Sequence, residues 1–347
     1  MLLRDHLRNW QPPADGLRIT TLDTHTAGEP LRIVTGGLPE LPGATILDRR
    51  RWAQAHLEPV RKLLLREPRG HAEMYGCLLT PAVSAEADFG VLFLHNEGYS
   101  TMCGHAILAL ATVMVETGAL PATGPTRTVR IDTPAGLVTA VARCDGGRVQ
   151  DVRFHNVPSF VVALDETVDV PGYGPVRYDL AFGGAFYAYV EAAQVGLTGA
   201  LGEYQRLVEA GRAIKHAVMA ARPIVHPFEP DLGFLYGTIF TAPPQSAGAH
   251  SRHICIFADG QVDRSPTGTG VSGRMPLLYA RGAVDLGETV VIESILGTCF
   301  TGRVVAETPY GPHAAVIPEV GGSAAITGQH TFLLRPTDPL PEGFLPG

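Results

Sequence analysis

Short apolar runs separated by glycine-marked turns give way, at two places in this chain, to a nearly unbroken apolar stretch of helical length. The runs at 88–95 and 127–131 read as strands, being rich in β-branched and aromatic residues and bounded by turn residues. Between them AILALATVMVETG, from Ala106, predicts a helix whose Ile107, Leu108, Leu110, Val113 and Val115 surround the axis. A helix apolar on nearly every side is buried on nearly every side. GVSGRMPLLYARG, from Gly270, predicts a second such helix, in which Pro276 marks either a kink or the start of the regular turns.

The two stretches belong to an internal repeat. YGCLLT at 75–80 lies over YGTIFT at 236–241, an offset of 161 (236 − 75). FGVLFLHNEGYSTMCGH then lies over RHICIFADGQVDRSPTGTG: a strand-like run, a glycine turn and a serine just before Cys103 in one copy and Thr267 in the other, 164 apart (267 − 103). The predicted helices both end at glycine, Gly118 and Gly282, and TVRIDTPAG from Thr128 lies over TVVIESILG from Thr289. A length of 347 residues also exceeds what one core usually supports. We therefore expect two α/β domains, residues 1–148 and their internal duplicate at 149–322.

Composition narrows the function. Apolar residues make up 45% and charged ones 18%, which suits a folded chain. The net charge of −7, with no basic stripe, argues against nucleic acid. The opening MLLRDHLRNWQPPADG has no apolar core of a leader, and no later window resembles a membrane span, so a cytoplasmic protein is expected. The five cysteines form no CxxC pair, which disfavours a zinc cage and a disulfide framework. Cys77, Cys144, Cys255 and Cys299 read as small buried hydrophobes. His216, His226, His253 and His313 lack metal-ligand spacing, and no metal is expected. The GTG run after Pro266 lacks the GK[ST] ending of a phosphate loop.

Cys103 and Thr267 each stand where a loop passes into a predicted helix, with glycine next. A helix start offers unpaired N–H groups and the positive end of the macrodipole, so it favours anions. For Cys103 that predicts a lowered pKa and thiolate near neutral pH. For a small carboxylate substrate it makes donors of the backbone at Gly104, His105, Gly268 and Thr269. If the copies face each other, one small acid fits between the helix starts, with a side chain on each side of its α-carbon. Removing a proton from one face and returning it on the other needs two competent acid–base groups, and the Thr267 hydroxyl is a poor one. Asp263 reads as a turn residue before the helix; His25 and Glu29, in DTHTAGEP, sit in a loop of the first copy as candidates to line the cleft, with no role assigned.

MCGH at 102–105 and DRSPTGTG at 263–270 resemble the two active-site motifs of the proline racemase family, and REPRGHAEMYG, HNEGY, NVPSF and FGGAFYA extend the resemblance over nearly the whole chain. It implies a fold similar to diaminopimelate epimerase, with two pseudo-symmetric halves, each a curved sheet around a central helix, residues 323–347 joining the first half, and a site in the cleft between them. It also implies catalysis without metal or organic cofactor, and a homodimer. Cys103 resembles the catalytic base and Thr267 the second catalytic position, where racemases and epimerases carry cysteine. Gly104, His105, Gly268 and Thr269 resemble the substrate-binding groups, and Asp263 the residue that meets the ring nitrogen. Threonine at 267 resembles the branch of the family that dehydrates trans-3-hydroxy-L-proline to 1-pyrroline-2-carboxylate; the alternatives are 4-hydroxyproline epimerisation and proline racemisation.

Overall fold

The computed structural model describes residues 3–345. After a short helix, α1 (Leu3–Arg8), come β1 (Leu17–Thr26), β2 (Glu29–Gly36), α2 (Ile46–His56), α3 (Glu58–Leu65) and β3 (Gly76–Thr80). Next are β4 (Phe89–His95), β5 (Gly98–Ser100), the buried helix α4 (Gly104–Glu116), and a meander of β6 (Thr126–Thr133), β7 (Gly136–Asp145) and β8 (Arg148–His155). The chain then crosses over through β9 (Ser159–Val170) into β10 (Gly174–Phe182), β11 (Phe186–Glu191), α5 (Tyr204–Ala221) and β12 (Leu235–Ala242). There follow β13 (Ser251–Phe257), β14 (Gln261–Val262), the second buried helix α6 (Gly268–Ala280), and β15 (Thr289–Glu293), β16 (Cys299–Tyr310), β17 (His313–Gly322) and β18 (Ala324–Leu334).

The repeat in sequence is a repeat in pairing. β2 and β3 are parallel, as are β11 and β12. β4 and β6 are parallel, as are β13 and β15. Parallel neighbours need a crossover connection: α2 with α3 supplies it between β2 and β3, α5 between β11 and β12, α4 between β4 and β6, and α6 between β13 and β15. The strand after each meander changes sides, β9 pairing with β10 and β18 returning to β1 from Leu17↔Leu334 to Thr26↔Ala324. Arg32 on β2 fastens that return. Its guanidinium lies 2.8 Å from Asp23, donates to the carbonyls of Leu64 and Arg69, and stacks 4.2 Å from the Phe332 ring.

α4 packs against β1, β7, β8 and β18, and α6 against β9, β10, β16 and β17. Ile107, Leu108 and Leu110 are fully buried, each worth roughly 1.5–3 kcal/mol relative to exposure. This burial holds the helix starts rigidly. Pro276 lies inside α6, which runs through it from Gly268 to Ala280. Of the four cysteines read as buried, Cys77 and Cys255 are, whereas Cys144 is half-buried on a strand and Cys299 is exposed, because Cys299 opens β16 at a turn. Among the described residues no helix is long and apolar enough to cross a membrane.

Candidate active site

Cys103 and Thr267 are the N-cap residues of α4 and α6, and the structure brings these two helix tips together. A Cβ built on Gly104 would lie 2.5 Å from the Gly268 Cα, and one on Gly268 would lie 2.6 Å from the Gly104 Cα. Only glycine permits that approach. The first intrahelical bonds run from Ile107 N to Cys103 O (3.1 Å) and from Val271 N to Thr267 O (2.7 Å). The amides of 104–106 and 268–270 therefore have no acceptor within their own helices, and both positive dipole ends meet at one point. Site residues are closed in: Cys103 is 6% exposed, Thr267 4%, Asp263 5% and His105 3%.

The Cys103 sulfur lies 3.1 Å from Nδ1 of His105. Burial lowers the His105 pKa to about 3, so its ring is neutral, and a ring N–H meets the Pro30 carbonyl. Tyr75 packs edge-on against this ring at 4.9 Å, and its hydroxyl pairs with Ser100 Oγ at 2.5 Å. The lowered thiol pKa expected for Cys103 is not found. Burial pushes the Cys103 thiol well above its ordinary value, and the Asp263 and Glu29 carboxyls add to this; the Ala106 N–H and the Tyr75 hydroxyl pull it down by less. A helix terminus stabilises charge by about 0.3–2 kcal/mol, whereas desolvating an ion costs several; burial prevails.

Across the tips, Thr267 has φ = 66°, a left-handed conformation that is strained for a β-branched residue, by about 1–3 kcal/mol. Its counterpart Cys103 is extended, at φ = −146°, so the pseudo-symmetry breaks at these two residues. The loop before Thr267 folds on itself: Asp263 Oδ1 accepts the Ser265 N–H (2.7 Å) and Ser265 Oγ accepts the Thr267 N–H (3.1 Å). Thr267 Oγ1 is buried with no partner in ordinary hydrogen-bond geometry, although it is close enough to lower the pKa of both Asp263 and Cys255. Burial raises the Asp263 carboxyl to about 6. Thr269 Oγ1 pairs with the Tyr187 hydroxyl at 2.8 Å, which fixes the first turn of α6.

Further residues close the cleft. Arg264 forms an ion pair with Glu73, which also accepts from the Tyr204 hydroxyl, and the Arg264 N–H donates to Glu29 Oε2 at 2.8 Å. Thr298 Oγ1 donates to the Ala27 carbonyl and Gln261 Nε2 to that of Ala72, so loops of both halves meet over the site. Glu29 is a cleft-lining candidate in the sequence without a role, and Arg264, Cys255 and the Tyr75–Tyr236 pair carry no site assignment there. Tyr75 and Tyr236 could have been: they head the repeated YG blocks, and both are buried near Cys103. His25 is exposed and its ring accepts from the Gly28 N–H. Among the described residues no three His, Cys, Asp or Glu side chains converge as a metal site would require.

A duplicated α/β chain with two buried helices meeting tip to tip defines a class of two-half α/β proteins. The chain belongs to the proline racemase family: the family model described as proline racemase matches residues 21–345. A Burkholderia cenocepacia protein named trans-3-hydroxy-L-proline dehydratase is 49% identical over 327 residues, covering 94% of this chain and 98% of that one. A Burkholderia multivorans protein named 3-hydroxyproline 2-epimerase is 48% identical over the same shares. The crystal structure of a hydroxyproline epimerase from Agrobacterium vitis with bound trans-4-hydroxy-L-proline is similar at a TM-score of 0.89 and 35% identity, covering 95% of this chain and 96% of that one. The fold is of the proline racemase and diaminopimelate-epimerase-like kind.

Proposed function

We propose that the protein is a trans-3-hydroxy-L-proline dehydratase. Relatives of nearly equal identity bear dehydratase and epimerase names, so overall similarity does not separate the two reactions. The observation that carries the reading is the unequal pair across the Gly104–Gly268 contact, a thiol on one tip and a hydroxyl on the other. The substrate carboxylate lies against the unpaired amides of the two helix starts. Asp263, ionised above about pH 6, faces the ring ammonium.

With that ammonium in place the buried thiolate gains a counter-charge, and Cys103 removes the α-proton. The C3 hydroxyl, trans to the carboxylate and so on the same ring face as that proton, leaves as water. The resulting enamine tautomerises to 1-pyrroline-2-carboxylate. Thr267 positions the substrate by hydrogen bonding and returns no proton to the opposite face.

Incubation of the purified protein with trans-3-hydroxy-L-proline, trans-4-hydroxy-L-proline and L-proline tests this. A pyrroline product from the first alone supports it; inversion of any of the three, without water loss, contradicts it.

A further inference from the structure

The departing hydroxide needs a proton, and three carboxyls, Asp263, Glu29 and Glu73, surround the one guanidinium of Arg264. Glu73 takes the closer ion pair, with Glu29 Oε2 3.8 Å from the guanidinium, and Asp263 accepts from its own loop. Glu29 is left with least support. It is fully buried, its Oε2 accepts a single N–H from Arg264, and its Oε1 is buried with no partner. An ionised carboxylate there would leave a buried charged oxygen unsatisfied. Burial first, and the neighbouring Asp263 second, push Glu29 well above the usual carboxyl range, which favours its protonated form.

The turn that carries Glu29 is fastened to the Cys103 side of the cleft. Thr26 Oγ1 donates to the His105 carbonyl at 2.9 Å, and the Pro30 carbonyl takes the His105 ring N–H. His105 is thereby engaged by the Pro30 carbonyl and by Cys103, whose sulfur lies 3.1 and 3.7 Å from its two ring nitrogens. Tyr75 is held to Ser100, and burial makes it a still weaker acid.

We propose that Glu29 is the general acid of the dehydration, donating a proton from its unpartnered oxygen to the C3 hydroxyl as the C–O bond breaks; this rests on the dehydratase reading. Cys103 takes the α-proton, the C–H electron pair becomes the C2=C3 bond, and the C3–O pair leaves on oxygen, which the Glu29 proton converts to water. The enamine gains a proton at C3 and loses one from nitrogen. Return of the Cys103 proton to Glu29 through water closes the cycle, with no net oxidation.

The test compares wild type and Glu29→Gln in D2O on trans-3-hydroxy-L-proline and trans-3-fluoro-L-proline, since fluoride departs without a proton. The expected result is water elimination slowed by about 100-fold or more, fluoride release within about threefold of wild type, and recovered hydroxy substrate deuterated at Cα. Equal loss on both substrates, or no loss on either, overturns the assignment. Should wild type itself release fluoride but no water, the dehydratase reading fails separately. Glu29→Asp, which keeps the acid on a shorter stem, serves if the amide variant does not fold: the fluoride-to-water ratio should rise, and an unchanged ratio overturns the proposal.

Discussion

Gly104 and Gly268 touch backbone to backbone, so that a single methyl on either would lie 2.5 to 2.6 Å from the other's Cα. Backbone cannot swing aside as a flexible side chain can. Gly268→Ala should push the helix tips apart and lower kcat/KM by about 100-fold, since displacements near 1 Å have that effect on aligned reactants. Overpacking should also cost about 1–3 kcal/mol of stability. Steady-state kinetics alongside thermal unfolding reads both, and full activity would show that the tip contact does not set the geometry.

Cys103→Ser keeps the shape of the site and removes the proposed base. Dehydration should fall by about 10³-fold or more, while Cys299→Ser, at an exposed position, should leave the rate unchanged. Assays of pyrroline formation compare the two, and equal effects would remove Cys103 from the chemistry.

Asp263 links the site to stability. Its native carboxyl titrates at about 6 against an ordinary 3.8, so between those values the native state holds a proton the unfolded chain has released. Stability therefore falls as pH rises through that window, by about 3 kcal/mol in all. Asp263→Asn removes the penalty while keeping an acceptor for the Ser265 N–H. The variant should unfold later than wild type near pH 8, show no such advantage near pH 4, and be inactive; an advantage equal at both pH values would contradict the assignment.

Thr267→Cys supplies the missing thiol, and the φ of 66° is less strained for an unbranched side chain. On trans-4-hydroxy-L-proline, whose hydroxyl is not placed for elimination next to the α-carbon, the variant should invert the α-carbon at least about tenfold faster than wild type, through two-base proton transfer. Polarimetry measures it. Absence of any gain would mean that the residue at 267 does not decide between inversion and elimination.

Local pattern made part of this legible. Repeated blocks such as YGCLLT and YGTIFT become β3 and β12, and the expected helices begin at the residues that follow Cys103 and Thr267. The crossover helix α5 was passed over, although Leu207, Ala210, Gly211, Ile214 and Val218 form its buried stripe at helical spacing. The thiol pKa was misjudged because a helix start is a local feature, whereas the burial of Cys103 depends on residues over 150 positions away closing above it. The role of Glu29 escaped for the same reason: its missing partner and its Asp263 neighbour exist only after the halves meet.

The central claim is that a thiol facing an alcohol eliminates water and does not invert. Its most direct test follows trans-3-hydroxy-L-proline by NMR in D2O with the wild-type enzyme. The account predicts 1-pyrroline-2-carboxylate as the product, with remaining substrate of L configuration throughout. Accumulation of the α-inverted hydroxyproline ahead of any pyrroline would contradict it.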